Sequence, residues 1–247
     1  MAVAGAGSVV ARGGKAVYGA SLGILMLEAR FPRIPGDMGN GLTWPFPVLF
    51  EVVPGASPDR VVRRGAQGLL DAFVAAARRL VAIGADGITT NCGFLSPFQG
   101  ELARACGVPV AASSLMQVPM VQRTLPAGRR VGILTVSAGT LTARHLAEAG
   151  CDPDTPVVGT DDGEEFTRVL LDDLPALDVD AARADLLAAA DRLVREHPQI
   201  GAVVLECTNM CPYAADIRDH LGLPVYDMVT FATWFHGGLR PRRFPAP

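Results

Sequence analysis

Two stretches of this chain, GITTNCGFLSPFQGELARACGVPV at residues 87–110 and AVVLECTNMCPYAADIRDHLGLPV at residues 202–225, align with each other without a gap. The alignment places Cys92 on Cys207, and it repeats both the proline and the Gly-x-Pro-Val that follow each cysteine. Each stretch is typical of a strand, a cysteine, a short turn, a helix that opens at proline and a second strand. The simplest explanation is an internal duplication that produced two similar α/β units.

Short apolar runs alternate with segments of helical periodicity along the rest of the chain. Continuous β-branched runs are typical of strands covered on both faces, and their alternation with helices predicts parallel sheets built from βαβ units. The predicted strands span residues 16–27, 87–90, 108–111, 130–136, 202–205 and 223–226. The predicted helices span residues 61–83, 97–106, 139–148, 180–196 and 212–221.

The predicted fold is α/β, with two similar lobes related by the duplication, each a mostly parallel sheet flanked by helices. The N-terminal lobe is assigned to residues 14–120 and the C-terminal lobe to residues 121–235, with peripheral flanks. Ligands of open α/β sheets bind beyond the carboxyl ends of the strands. We therefore expect an active-site cleft where the two lobes face each other.

The composition and charge of the chain argue against several classes of binding partner. The 247 residues are 49% hydrophobic and 19% charged, and the formal net charge is −3, with the basic residues scattered. This profile is that of a globular protein, and it offers no basic surface for nucleic acid or an anionic membrane and no apolar stretch long enough to span a bilayer. We expect a small-molecule substrate as the partner, no nucleic acid, no membrane, and a homodimer as the commonest assembly for an enzyme of this kind.

Cysteine usage separates two thiols from the other three. Five cysteines, an odd number in a chain of this size, indicate free thiols in a reducing compartment, so a cytoplasmic protein is expected. Only Cys92 and Cys207 pair with each other in the repeat. A lone cysteine is more often core filler, but symmetric placement at two strand ends, each before a helix whose first amides favour a thiolate, indicates function.

Two thiols that face each other across a cleft suit the movement of a proton from one face of a carbon to the other. A single base tends to return the proton to the face it left, whereas a thiolate on one side and a thiol on the other invert the centre. The negative charge that develops on the neighbouring carboxylate or carbonyl needs fixed donors. Cys92 and Cys207 are therefore the candidate catalytic acid and base.

The motifs TTNCGF at 89–94, ECTNM at 206–210 and GILTVSAGT at 132–140 resemble those of the aspartate/glutamate racemase superfamily. That superfamily includes amino-acid racemases, hydantoin racemases, maleate isomerase and arylmalonate decarboxylase. The resemblance spans residues 17–235 and is specific at the two cysteine segments. It implies an isomerase, a racemase or epimerase of an amino-acid-like substrate, that needs no pyridoxal phosphate, no other cofactor and no metal, with Cys92 and Cys207 as alternating acid and base.

The resemblance also implies which residues hold the substrate. The expected contacts are Asn91, Gly93, Thr208 and Asn209 beside the cysteines, Thr135, Ser137, Gly139 and Thr140 in an anion-binding turn, and Asn40 in a loop that closes over the substrate. The turn is equally explained as a plain helix N-cap, and the glycines and prolines of the loop as ordinary turn residues. Glutamate racemases carry Asp-Ser after the first strand and a histidine two residues after the second cysteine. This chain has ILMLEAR and Asn209 there, which speaks against glutamate as the substrate.

Two other classes of function fit the same residues. Nucleophilic or single-cysteine chemistry, such as cis/trans isomerisation or decarboxylation of a small diacid, needs only one of the two thiols. A non-catalytic solute-binding module with a closing cleft needs neither. Exchange of the α-hydrogen with solvent separates the two-thiol hypothesis from the other two.

Overall fold

The structure, a computed structural model, describes residues 10–245. The strands are β1 (Leu22–Leu27), β2 (Val48–Val53), β3 (Gly87–Thr90), β4 (Val110–Ala111), β5 (Arg130–Thr135), β6 (Val157–Gly159), β7 (Ile200–Leu205) and β8 (Val225–Tyr226). The helices are α1 (Leu70–Ile83), α2 (Gln99–Cys106), α3 (Val118–Gln122), α4 (Ala143–Glu148), α5 (Phe166–Leu171), α6 (Val179–Glu196), α7 (Ala214–Leu221) and α8 (Met228–Leu239). Within these described residues, no helix is both long and apolar enough to cross a membrane.

The strands form two four-stranded sheets of the same design. Their orders are β2-β1-β3-β4 and β6-β5-β7-β8, and every strand pair is parallel. The predicted α/β fold of two similar lobes is thereby confirmed. The four strands of the first sheet lie within 14–120 and those of the second within 121–235, although the lobe boundary itself stays a prediction.

The two lobes repeat each other in their packing as well as in their strand order, because each central strand, β1 and β5, has a glycine near its start. A Cβ atom on Gly23 of β1 would lie 2.9 Å from Ile88, and one on Gly132 of β5 would lie 2.8 Å from Leu193 of α6. Protein interiors are packed too tightly to admit the extra carbon without a shift. Both sheets therefore need a residue without a side chain at the same point.

Several predicted elements differ from the observed ones for local reasons. The helix expected over 61–83 begins only at Leu70, because Gly65 and Gly68 adopt left-handed backbone conformations with φ of +63° and +71°. Strand β2, an edge strand whose Phe50 and Val52 are exposed, was not predicted. Strand β6 was not predicted either, although the shorter β4 and β8 were, because β2 and β6 both lie outside the two aligned segments. The strand expected from residue 16 begins at Leu22.

The last helix crosses from the second sheet to the first. Met228 and Phe231 of α8 pack against Leu22 and Ile24 of β1 in one apolar cluster. Just beyond the helix, Arg240 pairs with Asp86. The first sheet is therefore covered on one face by a helix from the far end of the chain, which ties the two lobes together.

Candidate active site

The two aligned segments adopt the same local structure around their cysteines. Cys92 comes two residues after the end of β3, and Cys207 two residues after the end of β7. A tight helical turn follows each, at Gly93–Phe98 and Thr208–Tyr213. The prolines inside these turns, the helices α2 and α7, and the left-handed glycines that end them repeat in order. The predicted placement of both cysteines at the carboxyl ends of parallel strands is confirmed.

Both cysteines line one narrow cavity between the two sheets, and its free volume of about 20 Å³ is enough for roughly one water molecule. Each is nearly buried, with 9% of Cys92 and 7% of Cys207 exposed. The cavity is lined by Leu27, Phe31, Pro58, Val62, Asn91, Cys92, Gly93, Phe94, Val136, Leu170, Leu171, Glu206, Cys207, Thr208 and Asn209. Most of these side chains are apolar, so the cavity offers two thiols and few polar groups to a small organic molecule.

The environment of the thiols opposes their ionisation in two ways. Burial and the charge of Glu206 raise the pKa of Cys92, while the backbone N–H of Phe94 and the charge of Arg33 lower it. Burial and Glu206 likewise raise the pKa of Cys207, and the backbone N–H of Asn209 lowers it. Each sulfur thus has a backbone donor ready to stabilise a thiolate, and the same carboxyl group acts against both.

That carboxyl group, Glu206, lies fully buried beside Cys207. Its Oε2 accepts a hydrogen bond from the Thr135 hydroxyl at 2.8 Å, and its Oε1 has no hydrogen-bond partner among the described residues. Burial raises the pKa of Glu206 to about 8, partly offset by the bond from Thr135. A Cβ atom on Gly93 would lie 2.2 Å from Oε1, so the carboxyl group occupies the space that a side chain at position 93 would need.

Hydrogen bonds across the cleft hold the two cysteine segments in register. The Thr208 hydroxyl donates to the backbone oxygen of Asn91 at 2.6 Å, and the Asn91 side chain accepts from the Leu27 N–H at 2.8 Å. The loop after β1 joins this network through Asp37, which accepts from the Asn209 side chain and pairs with Arg33 at 3.0 Å. The site is therefore assembled from three separate parts of the chain.

Six of the predicted site residues line the cavity: Cys92, Cys207, Asn91, Gly93, Thr208 and Asn209. None of the four residues predicted for the anion-binding turn lines the cavity. Thr135 reaches the site only through Glu206, and the amide of Ala138 already donates to the carboxylate of Asp161 at 2.8 Å. Ser137, Gly139 and Thr140 are not among the lining residues; the Thr140 hydroxyl donates to the Ser137 oxygen within the turn.

Asn40 also lies outside the cavity lining, and its side chain is used within its own loop. Its amide nitrogen donates to the Arg33 oxygen at 2.8 Å, and its oxygen accepts from the Leu42 N–H at 2.9 Å. These bonds cap the short helical turn that follows. Phe31 is the residue of this loop that lines the cavity.

The comparisons with known proteins agree with this architecture. The family model described as Asp/Glu/Hydantoin racemase matches residues 62–235. The chain belongs to this family. The resemblance that the cysteine motifs suggested is confirmed, and with it the assignment of the chain to a superfamily of enzymes.

The relatives with curated names share the family but carry a different activity in their names. The chain is 30% identical over 231 residues to a dimethylsulfoniopropionate lyase of Durusdinium sp. clade D, covering 89% of this chain and 75% of that protein. It is 31% identical over 229 residues to dimethylsulfoniopropionate lyase 6 of Emiliania huxleyi, covering 85% of this chain. The chain spans only 57% of the length of that second relative.

Solved structures support the fold of this racemase-family chain. A Gly74Cys mutant of arylmalonate decarboxylase covers 92% of the chain, with a TM-score of 0.60 and 19% identity, and 97% of that structure is matched. Glutamate racemase isoform RacE1 from Bacillus anthracis covers 89% of this chain and 83% of its own length, with a TM-score of 0.57 and 15% identity. At these identities the likeness is one of fold.

The sequence analysis missed Glu206 and the apolar walls of the cavity. Glu206 stands in the quoted ECTNM motif and aligns with Asn91 in the repeat, so a charged residue at the end of a buried strand was the available signal. Leu170 and Leu171 come from α5, outside the repeated segments. Nothing in their local pattern separates them from ordinary core residues.

Proposed function

We propose that this chain removes a proton from the carbon next to the carboxylate of a small substrate and completes the reaction by elimination, as a lyase. The observation that carries this proposal is the pair of buried thiols lining one cavity in a chain 30% identical, over 89% of its length, to a dimethylsulfoniopropionate lyase. Proton removal from that carbon is the step that the lyase hypothesis and the racemase hypothesis share.

Dimethylsulfoniopropionate suits this chemistry because its leaving group is already activated. A cysteine thiolate takes the α-hydrogen as a proton, and the electron pair of that C–H bond becomes the new double bond. The C–S bond breaks, and its electron pair leaves with sulfur. The products are acrylate and neutral dimethyl sulfide, so no acid has to protonate the leaving group, and the cysteine later releases its proton to solvent.

The lining of the cavity favours a sulfonium carboxylate over an acidic amino acid. Of the described residues, those that line the cavity include neither lysine nor arginine, and Arg33, whose charge acts on Cys92, already pairs with Asp37, so a second substrate carboxylate finds no cationic partner in the lining. Apolar walls such as Leu170 would contact the methyl groups once the walls move apart to admit the substrate, and the ring of Phe94 would attract a soft cation. A positive charge beside the thiols also lowers their pKa, which offsets the effect of burial.

Racemisation through two cysteines is the second candidate, and it has a specific observation in its favour. Cys92 and Cys207 reach the cavity from opposite lobes, each with a backbone N–H on its sulfur. Inversion needs a proton acceptor on one face and a proton donor on the other, whereas elimination needs a single thiolate. The two reactions therefore differ in how many of the cysteines they require.

The deciding experiment compares three variants: Cys92→Ala, Cys207→Ala and Cys106→Ala, the last a matched buried cysteine outside the cavity. Each is incubated with dimethylsulfoniopropionate, and dimethyl sulfide is measured by gas chromatography. We expect release by the wild type and by Cys106→Ala. At least one cavity variant should lose about 100-fold or more, the usual contribution of a positioned acid or base.

A parallel incubation of amino acids in heavy water tests the racemase hypothesis. Deuterium at the α-carbon with inversion, lost in both cavity variants, would replace elimination by racemisation as the function. The absence of both dimethyl sulfide release and deuterium incorporation from the wild type would contradict carbon-acid chemistry on these substrates.

A further inference from the structure

Glu206 lines the active-site cavity and carries a buried carboxyl oxygen that no group of residues 10–245 satisfies. Oε1 is buried and without a hydrogen-bond partner, while Oε2 accepts from Thr135 at 2.8 Å. Buried polar groups almost always have a partner, so an orphaned oxygen in a binding cavity calls for an explanation. A ligand atom is the natural partner, because Glu206 lines the cavity together with both cysteines.

The contacts of Glu206 favour its neutral form with the proton on Oε1. None of the ion pairs in residues 10–245 includes Glu206, and a buried carboxylate without a cation is strongly disfavoured. Because the Thr135 hydroxyl donates to Oε2, Oε2 is the carbonyl oxygen of the neutral acid. The remaining oxygen is the one that carries the acidic hydrogen, so Oε1 is a donor without an acceptor.

We propose that Glu206 binds the substrate as a neutral acid, donating a hydrogen bond from Oε1 to an oxygen of the substrate carboxylate. This inference rests on the proposed function, which supplies a carboxylate substrate, and it adds a binding residue to the two cysteines. The same bond strengthens when proton removal places further negative charge on that carboxylate.

The charge balance of the cavity requires Glu206 to be neutral during the reaction. A charged Glu206 raises the pKa of both Cys92 and Cys207 and repels a substrate carboxylate. A neutral Glu206 leaves the cavity free to hold one thiolate. Cys92, Cys207 and Glu206 are thus coupled acids in one apolar cavity, and only one of them is ionised at a time. Which one is ionised depends on the bound substrate.

Gly93 explains how the carboxyl group and a substrate can meet. Any side chain at position 93 would collide with Oε1 at 2.2 Å and with the backbone oxygen of Glu206 at 2.4 Å. The aligned position in the other lobe carries Thr208. The missing side chain therefore lets Oε1 pack against the backbone of the residue that follows Cys92.

The test measures proton uptake when propionate, a carboxylate with no leaving group, binds to the full chain. Calorimetry in two buffers of different ionisation enthalpy yields the number of protons taken up per propionate. Burial places the pKa of Glu206 at about 8 in the empty site, so the wild type should take up almost none at pH 6 and approach one proton at pH 9. Glu206→Gln should bind propionate with no uptake and no pH dependence over this range.

Asp227→Asn is the matched control, since Asp227 is another buried carboxyl with a raised pKa, at the N-cap of α8 and away from the cavity. It should keep the wild-type uptake. Failure of the wild type to bind propionate, binding without uptake, or uptake that survives in Glu206→Gln would each overturn the inference. If Glu206→Gln does not fold, the wild type and Asp227→Asn decide alone.

The activity of Glu206→Gln separates a donor from a base. Because the glutamine amide still donates, dimethyl sulfide release at pH 7 should fall by no more than about 10-fold. Ionisation of Glu206 should lower the activity of the wild type above pH 8, and this loss should be absent from Glu206→Gln. A fall of about 100-fold or more at every pH would mark Glu206 as a proton acceptor and overturn the inference. Proton uptake without any lyase or exchange activity would overturn the proposed function and leave the carboxylate site standing.

Discussion

The segments around Cys92 and Cys207 share one backbone design but surround their thiols differently. Before the cysteine, the first segment has Asn91, whose side chain accepts from the Leu27 backbone, and the second has Glu206, a buried acid whose Oε2 accepts from Thr135. After the cysteine, the first has Gly93 and the second Thr208, which bonds across the cleft. The duplication thus supplied a symmetric frame, and substitutions beside each cysteine made the cavity asymmetric.

This difference indicates that the residues beside the two cysteines set the reaction specificity of the chain. Two equivalent thiols suit an inversion, in which the faces of the substrate are nearly equivalent. The single buried carboxyl group of Glu206 makes the Cys207 side of the cavity different from the Cys92 side, and it limits the number of negative charges that the cavity can hold. Substitutions at the positions where the two segments differ test whether the two sides of the cavity have different roles.

The largest expected effect is on the pH dependence of stability in Glu206→Gln. Burial raises the pKa of Glu206 from 4.5 to about 8, so the folded chain keeps a proton that the unfolded chain releases. The free energy of unfolding of the wild type should therefore fall, relative to that of Glu206→Gln, by on the order of 4 kcal/mol between pH 5 and pH 8. Urea unfolding at both pH values measures this difference, and parallel profiles for the two proteins would contradict it.

A smaller but still large effect is expected for Gly93→Ala. The new methyl group would lie 2.2 Å from Glu206 Oε1, which forces either the turn or the carboxyl group to move. We expect a loss of about 1 to 3 kcal/mol in stability from overpacking, and about 100-fold in turnover, the size of effect that a misplacement of about 1 Å produces. Thermal unfolding and the dimethyl sulfide assay measure the two losses. Wild-type turnover in this variant would show that Glu206 does not need its present position.

The matching change in the second segment, Thr208→Ala, should cost less. It removes the hydroxyl that donates to the Asn91 oxygen at 2.6 Å and creates no collision. The expected loss is about 1 kcal/mol for one hydrogen bond across the cleft, with turnover reduced by less than in Gly93→Ala. If the two variants lose the same turnover, the two sides of the cavity are equivalent and the asymmetry argued above is wrong.

The smallest effect is expected outside both segments, for Asn40→Ala. Asn40 caps a short turn in its loop and is not among the residues that line the cavity. Loss of the cap should cost about 1 kcal/mol or less, with no change in KM. A clear rise in KM would restore the hypothesis that Asn40 contacts the substrate.

Local sequence patterns predicted the parts of the fold that local interactions decide. The strand, cysteine, turn and helix of each repeat follow from apolar runs, proline and glycine, and the structure has them within two residues of the expected bounds. The turn at 135–140 was also predicted as a turn, but its Ala138 amide donates to the carboxylate of Asp161, a partner 23 residues further along the chain. No pattern within the turn announces that partner.

Order and spacing along the chain are enough to identify a duplicated α/β protein and to single out Cys92 and Cys207 as its distinctive pair. The packing of distant segments was needed to show that Glu206 joins the cysteines, that α8 covers the first sheet, and that Asn40 and the four predicted residues of the 135–140 turn lie outside the cavity lining. The physical reason is that the charge and orientation of a buried group depend on which distant residues approach it. Burial and a missing partner are properties of the packed molecule, and Glu206 has both.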